Sequence, residues 1–331
     1  MTTGNEVEPV IDSYAVAPNK SITVGKETFA YRELGPRGGI PVIFFAHLAA
    51  NLDNWDPRIV DPIARNRHVI AFDQLGVGAS SGRVRKTLEE AADDAYEFIT
   101  ALGFETIDVF SFSMGGFIAQ DLIVKHPDLV RRLVLTGTGP RGGKDIDKVA
   151  GVTYRDILRA ALARSDPKEF LFFNRDTAGK RAGKAFIGRL KERTANRDAA
   201  VSTKALQTQL KAIQKYGRSA PSDLSVITRP TLIANGDNDR MVPHGPVRGT
   251  KPSHPRQRAD HLSELRTWRH LPVPPGFRSD RREILGRLNG GASPRIGRDS
   301  ANHFCCAAHP AMRTRYWFAG PGRESGTAPP G

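Results

Sequence analysis

The chain is poor in cysteine, with only Cys305 and Cys306 in 331 residues, side by side. Adjacent thiols cannot form a disulfide framework or supply the four ligands of a structural zinc. Long apolar runs are missing too. No stretch reaches the roughly eighteen residues that a membrane-spanning helix needs, and Met1 to Val10 is polar and acidic where a secretory leader would be apolar. A soluble, cytoplasmic protein with no membrane partner is expected. Gly76-Val77-Gly78 lacks the third glycine of a dinucleotide loop. No metal or cofactor is expected. What is present is a 39% hydrophobic composition, enough to bury the core of one large domain or two modest ones.

The formal net charge of +14 suggests a phosphate-binding surface until the charges are located. Residues 1–140 and 221–243 together hold 15 basic and 21 acidic residues, an ordinary acidic globule. The stretch 141–220 holds 19 basic against 8 acidic, and 244–331 holds 15 against 6. In that last stretch 14 of the 15 basic residues are Arg, 22 residues are Pro or Gly, and six of the nine His occur. It reads as an aberrant, poorly ordered tail. It carries a few aromatics and no nucleic-acid-binding motif, so nucleic-acid binding through it is a remote alternative. The basic residues Arg181, Lys184, Arg189, Lys191, Arg193 and Arg197 read most simply as a solvated helical face, and an acidic substrate or partner is a secondary reading.

Residues 1–243 alternate strand and helix signals. Apolar runs at Pro41–Ala46, His68–Asp73, Ile107–Phe110, Arg132–Thr136 and Thr231–Asn235 predict strands buried on both faces, as in a parallel sheet. Thr87 and Glu90 form a capping box ahead of Leu88, Ala92, Ala95, Phe98 and Ile99 at helical spacing, and Met114 to His126 predicts another helix. The fold class expected is α/β, a doubly wound, mostly parallel sheet. Residues 141–220 lack strand signals, and Asp166-Pro167-Lys168-Glu169 opens a helix there, so this stretch is expected to be an inserted helical cap. The expected organisation is a core at 1–140, the cap at 141–220, the last strand with its loop at 221–243, and the tail at 244–331.

Ser111-Phe112-Ser113-Met114-Gly115-Gly116 ends one strand and opens a helix, with small residues two places on either side of Ser113. Such a turn lifts a serine hydroxyl onto a helix N-terminus, where developing negative charge is favoured. A plain serine N-cap is the other reading of the same residues. Phe45-Ala46-His47-Leu48 follows the first buried strand, Asp73-Gln74-Leu75-Gly76-Val77-Gly78-Ala79-Ser80 the next, and Gly236-Asp237-Asn238-Asp239-Arg240-Met241-Val242-Pro243 the last. Together these segments resemble the α/β-hydrolase family, in its cap-bearing branch of serine esterases, lactonases and cofactor-free haloperoxidases. The resemblance covers about 21–243. It implies Ser113 as nucleophile, the backbone N–H groups of Leu48 and Met114 as oxyanion hole, Asp239 as the acid rather than its neighbour Asp237, and a small ester-like substrate. Ser111 stands where the family has glycine, and His47-Leu48 stands where it has His-Gly. His47 reads as structural.

The family's base, a histidine in a Gly-His pair after one more helix and strand, has no counterpart. His244, His254, His261, His270, His303 and His309 sit among Pro, Arg and Gly with no strand leading into them, and His270 lies nearest the expected distance from Asp239. Shifting the reading by one base lets codons for Arg266 to Val273 encode Gly-His-Gly-Gly-Ile-Phe-Gln, and lets Leu288-Asn289 hide a stop codon. The tail is therefore expected to be frameshifted from about codon 243, the chain to be impaired for lack of its base, and the sheet edge beyond the last strand to be bare. A non-catalytic binding module of the same fold is the alternative.

Overall fold

The computed structural model describes residues 13–236 and 239–242, with the backbone of a further strand at 314–319. Among these residues eight strands form one sheet: β1 (Lys20–Val24), β2 (Glu27–Leu34), β3 (Val42–Phe45), β4 (Val69–Phe72), β5 (Ile107–Phe112), β6 (Val130–Thr136), β7 (Thr231–Gly236) and β8 (Thr314–Ala319). Their order is β1-β2-β4-β3-β5-β6-β7-β8. The five strands from β4 to β7 run parallel, and β1, β2 and β8 pair antiparallel with their neighbours. The expected α/β sheet is present. β1 and β2 add to the expected strands; their mixed sequences, KSITV and ETFAYREL, contain no apolar run.

The seven α-helices among the described residues are α1 (Pro57–Ala64), α2 (Leu88–Ala101), α3 (Met114–Lys125), α4 (Val149–Leu162), α5 (Pro167–Phe172), α6 (Thr177–Leu190) and α7 (Thr203–Arg218). Side chains of a strand alternate between faces, and β3 divides its four between two cores. Ile43 and Phe45 join Leu88, Phe98, Phe117 and Leu122 of α2 and α3. Val42 and Phe44 join Val60 and Ile63 of α1. The capping box of α2 forms as its sequence predicts: Glu90 N–H donates to Thr87 Oγ1 at 3.2 Å, and Thr87 N–H to Glu90 Oε2 at 3.1 Å.

Between β6 and β7 the chain passes through α4 to α7 without a strand. Asp166 caps α5 by accepting from Lys168 N–H at 2.9 Å. α7 belongs with the main core, into which it sends Leu210, Ile213 and Tyr216. The row of basic residues on and after α6 is not a uniformly solvated face. Arg189 Nη2 lies 2.7 Å from Asp56 Oδ2, Arg197 Nε lies 3.1 Å from Asp53 Oδ2, and Arg193 is buried while donating to the carbonyls of Ala15 and Ala17. Only Arg181, Lys184 and Lys191 match that expectation without such bonds. The reason is electrostatic: Asp53 and Asp56 are buried on the core side, where a carboxylate must be paired.

The edge of the sheet beside β7 also differs from expectation. Instead of lying bare it is occupied by β8, which runs antiparallel with Leu232 opposite Phe318 and Ala234 opposite Tyr316. The rest of the tail, with Asp237, His244, His254, His261, His270, His303, His309 and both cysteines, lies outside the described residues.

Asp108 on β5 pins this end of the sheet. Its buried carboxylate accepts from Arg67 Nη2 at 2.7 Å and from Arg131 Nε and Nη2 at 2.9 and 2.6 Å. Removing the shared acceptor breaks the buried ion pair with Arg67 and the pair with Arg131, so Asp108→Ala is expected to lower stability by about 3 kcal/mol. A urea midpoint within error of the parent would contradict this.

Candidate active site

The carboxyl ends of β3, β5, β6 and β7 converge on Ser113. This residue links β5 to α3 with φ 53° and ψ −116°, a conformation L residues rarely adopt. It stands at the N-cap place of α3, but its side chain makes no capping hydrogen bond. The backbone is held on both sides: Ser113 N–H donates to the Thr136 carbonyl at 2.8 Å, and Gly116 N–H to the Ser113 carbonyl at 2.8 Å. Ser111 fits in the glycine place because its hydroxyl donates to the Val134 carbonyl at 2.8 Å on β6. Thr136 Oγ1 returns a bond of 2.8 Å to the Ser111 carbonyl. Gly115 has no freedom to be otherwise, since a Cβ there would collide with the carbonyls of Phe45 and Ala46. At Gly116 a Cβ would strike the Thr138 side chain.

That close approach sets the loop after β3 beside the first turn of α3. Met114 opens α3, so its N–H is one of the orphan donors at a helix start. Leu48 is half-buried nearby. His47 is buried, with Nδ1 2.7 Å from the Leu48 carbonyl oxygen and its ring 5.4 Å from that of Phe112 and 5.0 Å from that of Phe172 on α5. Its Nε2 has no partner among the described residues. Burial, with the Lys168 charge nearby, pushes the imidazole down to about 4.

The loop continues through Ala49, at φ 54°, whose N–H donates to Gln209 Oε1 of α7 at 2.9 Å. Asn51 Nδ2 donates to the Ala199 carbonyl at 2.8 Å, and Leu52 N–H to Asp198 Oδ2 at 3.1 Å. Gln209 is not among the residues expected at the site. The available signal was a lone amide at a buried position of α7, beside Ala205, Leu210 and Ala212.

Asp239 follows β7 and is largely buried. Its Oδ1 accepts from Met241 N–H at 2.8 Å and Val242 N–H at 2.9 Å, and Oδ2 faces Gly137 at the end of β6. Burial holds its carboxyl above the usual range, and the two N–H bonds oppose that shift. The next residue, Arg240, donates from Nη2 to Asp156 Oδ2 on α4 at 2.8 Å and to the Phe170 carbonyl of α5. Asp73, at the end of β4, lies against Gly78 together with Asp198. Burial and the neighbouring Asp198 carboxylate push Asp73 well above the usual carboxylate range. Thus Ser113, Leu48, Met114 and Asp239 share one edge of the sheet, whereas His270 lies outside the described residues.

A family model described as alpha/beta hydrolase fold matches residues 40–250. A solved alpha/beta hydrolase fold protein from Chitinophaga pinensis is 38% identical, with a TM-score of 0.63 over 66% of this chain and 79% of its own. A non-heme chloroperoxidase of Burkholderia pyrrocinia is 25% identical over 64% of this chain and 79% of its own length. A 2-hydroxymuconate semialdehyde hydrolase of Pseudomonas sp. strain CF600 is 35% identical over 37% of this chain; the match spans less than half, 46%, of that protein.

Two titrations follow from the buried groups. His47 has a folded pKa below its ordinary value, so it supports the fold above about pH 6.5, and that support is lost as pH falls toward 4. Between pH 6.5 and 5, before most carboxylates titrate, stability should fall with a slope approaching ~1.4 kcal/mol per pH unit, and His47→Leu should flatten it. Asp73 has the opposite sign. Its raised pKa makes the fold lose stability as pH rises above the carboxylate range, so Asp73→Asn should raise the Tm at pH 7 and gain progressively less toward pH 4. Parallel Tm profiles for parent and variant would contradict it.

Proposed function

Because the chain belongs to the alpha/beta hydrolase fold family, we propose that its site is built for serine-nucleophile hydrolysis of an ester-like bond in a small molecule. The observation that carries this reading is the backbone of Ser113, held at φ 53° and ψ −116° between β5 and α3. Strained non-glycine geometry persists only where surrounding contacts over-determine it, and it concentrates at reactive positions. Ser113 Oγ attacks the substrate carbonyl carbon and its proton passes to a base. The carbonyl electron pair moves onto oxygen, which the N–H groups of Leu48 and Met114 receive. Collapse expels the alcohol, which takes the proton from the base, and water then cleaves the acyl-enzyme by the same steps in reverse. Asp239 is the acid that would orient the base and balance its charge. The α4 to α6 helices act as the cap over this edge, with Phe170, Leu171 and Phe172 available for an acyl group.

The base is the part this chain does not supply in recognisable form. We read its last 88 residues as out of frame, with the histidine encoded by the shifted frame across positions 266–269. A serine without its base keeps the oxyanion hole and binding, roughly 10³ to 10⁴ over water. The expected result with a fluorophosphonate is slow modification of Ser113, located by peptide mass spectrometry and absent in Ser113→Ala. A chain with the frame restored from codon 243 should react at least ~10³ times faster. Modification elsewhere, or no acceleration in the restored chain, would overturn the reading. A gene whose shifted frame does not read Gly-His-Gly-Gly there would overturn the frame assignment alone.

A further inference from the structure

The outer face of α4 carries an apolar stripe that nothing in the hydrolytic reading uses. Tyr154, Leu158 and Leu162 recur every four residues and are 48%, 61% and 79% exposed, the largest such group on one element. Ala161, also exposed, and Gly151 widen the stripe. The opposite face is conventional: Val149, Thr153, Asp156 and Ala160 are buried. Three large apolar side chains in a row spanning about 12 Å of helix surface are more than scattered surface hydrophobics.

Two cations near the stripe have no counter-charge among the described residues. Arg155 lies beside it and Arg164 beyond its end, both exposed. Asp156, the only acid of α4, is turned inward with its side chain fully buried. It is shared by Arg159 at 3.0 Å, Arg175 at 3.2 Å and Arg240 at 2.8 Å, three guanidinium groups that are each about half exposed. One carboxylate cannot neutralise three cations, so the cluster on the inward side of α4 also keeps a net positive charge. Like charge disfavours a second copy of the same face. Exposed Leu and Tyr beside unpaired Arg instead match the boundary of an anionic bilayer, where apolar side chains enter between headgroups and guanidinium groups meet phosphate.

We propose that α4 is a peripheral docking surface for an anionic phospholipid membrane. No helix of the described residues is long and apolar enough to cross a membrane, so the attachment lies on the surface and is reversible. This goes beyond the sequence reading, in which the absence of spans left no membrane role. It is independent of the hydrolytic assignment, because binding needs neither Ser113 nor a base.

The test is flotation of the full chain with vesicles of phosphatidylcholine alone and of phosphatidylcholine and phosphatidylglycerol in equal parts. Binding is expected only to the anionic vesicles. The double variant Leu158→Ser, Leu162→Ser should lose roughly tenfold or more in partitioning. The pair Arg155→Gln, Arg164→Gln should lose several-fold. All four positions are exposed, so the Tm should not change. Undiminished binding by the leucine variant would place the membrane contact elsewhere on this basic chain and overturn the proposal. So would failure of the parent to bind, or a dimer in light scattering that the leucine variant abolishes.

Discussion

The site depends on how near the first turn of α3 can come to the end of β3. With hydrogen in place of a side chain at Gly115, the helix backbone rests against the carbonyls of Phe45 and Ala46. With hydrogen at Gly116, it clears Thr138 at the end of β6. Ser113 cannot relax out of its conformation while those contacts hold, and its own N–H and carbonyl are both engaged. Strain of this kind costs of order 1–3 kcal/mol, which the dense apolar packing of Met114, Phe117 and Ile118 beneath it offsets. The loop after β3, the start of α3 and the ends of β6 and β7 are thereby fixed to one another before any ligand arrives.

A second layer of constraint is ionic and joins the acidic core to the basic helices. Asp53 takes Arg32 and Arg197, Asp56 takes Arg189, and Asp156 takes Arg240 from the loop that carries Asp239. Two of these carboxylates lie on the core side and one on the helical side, so the contacts run in both directions. The same helices reach the loop after β3 through Gln209, Ala199 and Asp198. A movement of α4 to α7 as a body would disturb both the Leu48 neighbourhood and the Asp239 neighbourhood. Much of the positive charge between β6 and β7 is spent in this way, and the remainder collects on the outer surfaces.

The five parallel strands, of which β3, β4 and β5 are buried on both faces and β6 and β7 are partly exposed, were legible because each reads as an apolar run. β1 and β2 were not, since a half-exposed antiparallel strand needs only weak alternation. The turn at Ser113 was legible from the size of its neighbours, whereas the role of Ser111 was not, because a hydroxyl replacing hydrogen is visible only once Val134 is across from it. Arg189, Arg193 and Arg197 look like surface charges in a helical row, and their partners lie more than a hundred residues earlier in the chain. Gln209 illustrates the same limit. A buried amide signals that something must satisfy it, but only the fold identifies Ala49.

The strand β8 shows what a sheet asks of its outermost member. It pairs with β7 through main-chain groups in a run of six residues, from Thr231 opposite Ala319 to Gly236 opposite Thr314. Main-chain pairing is blind to the letters of the sequence and tolerant of direction. An edge position can therefore be vacated by one segment and taken by an unrelated one with the rest of the sheet undisturbed. A proton acceptor has no such tolerance, because it must be one side chain at one place. In a lineage carrying such an exchange, the architecture would outlive the chemistry, and a well-formed sheet would say little about whether its owner still turns over substrate.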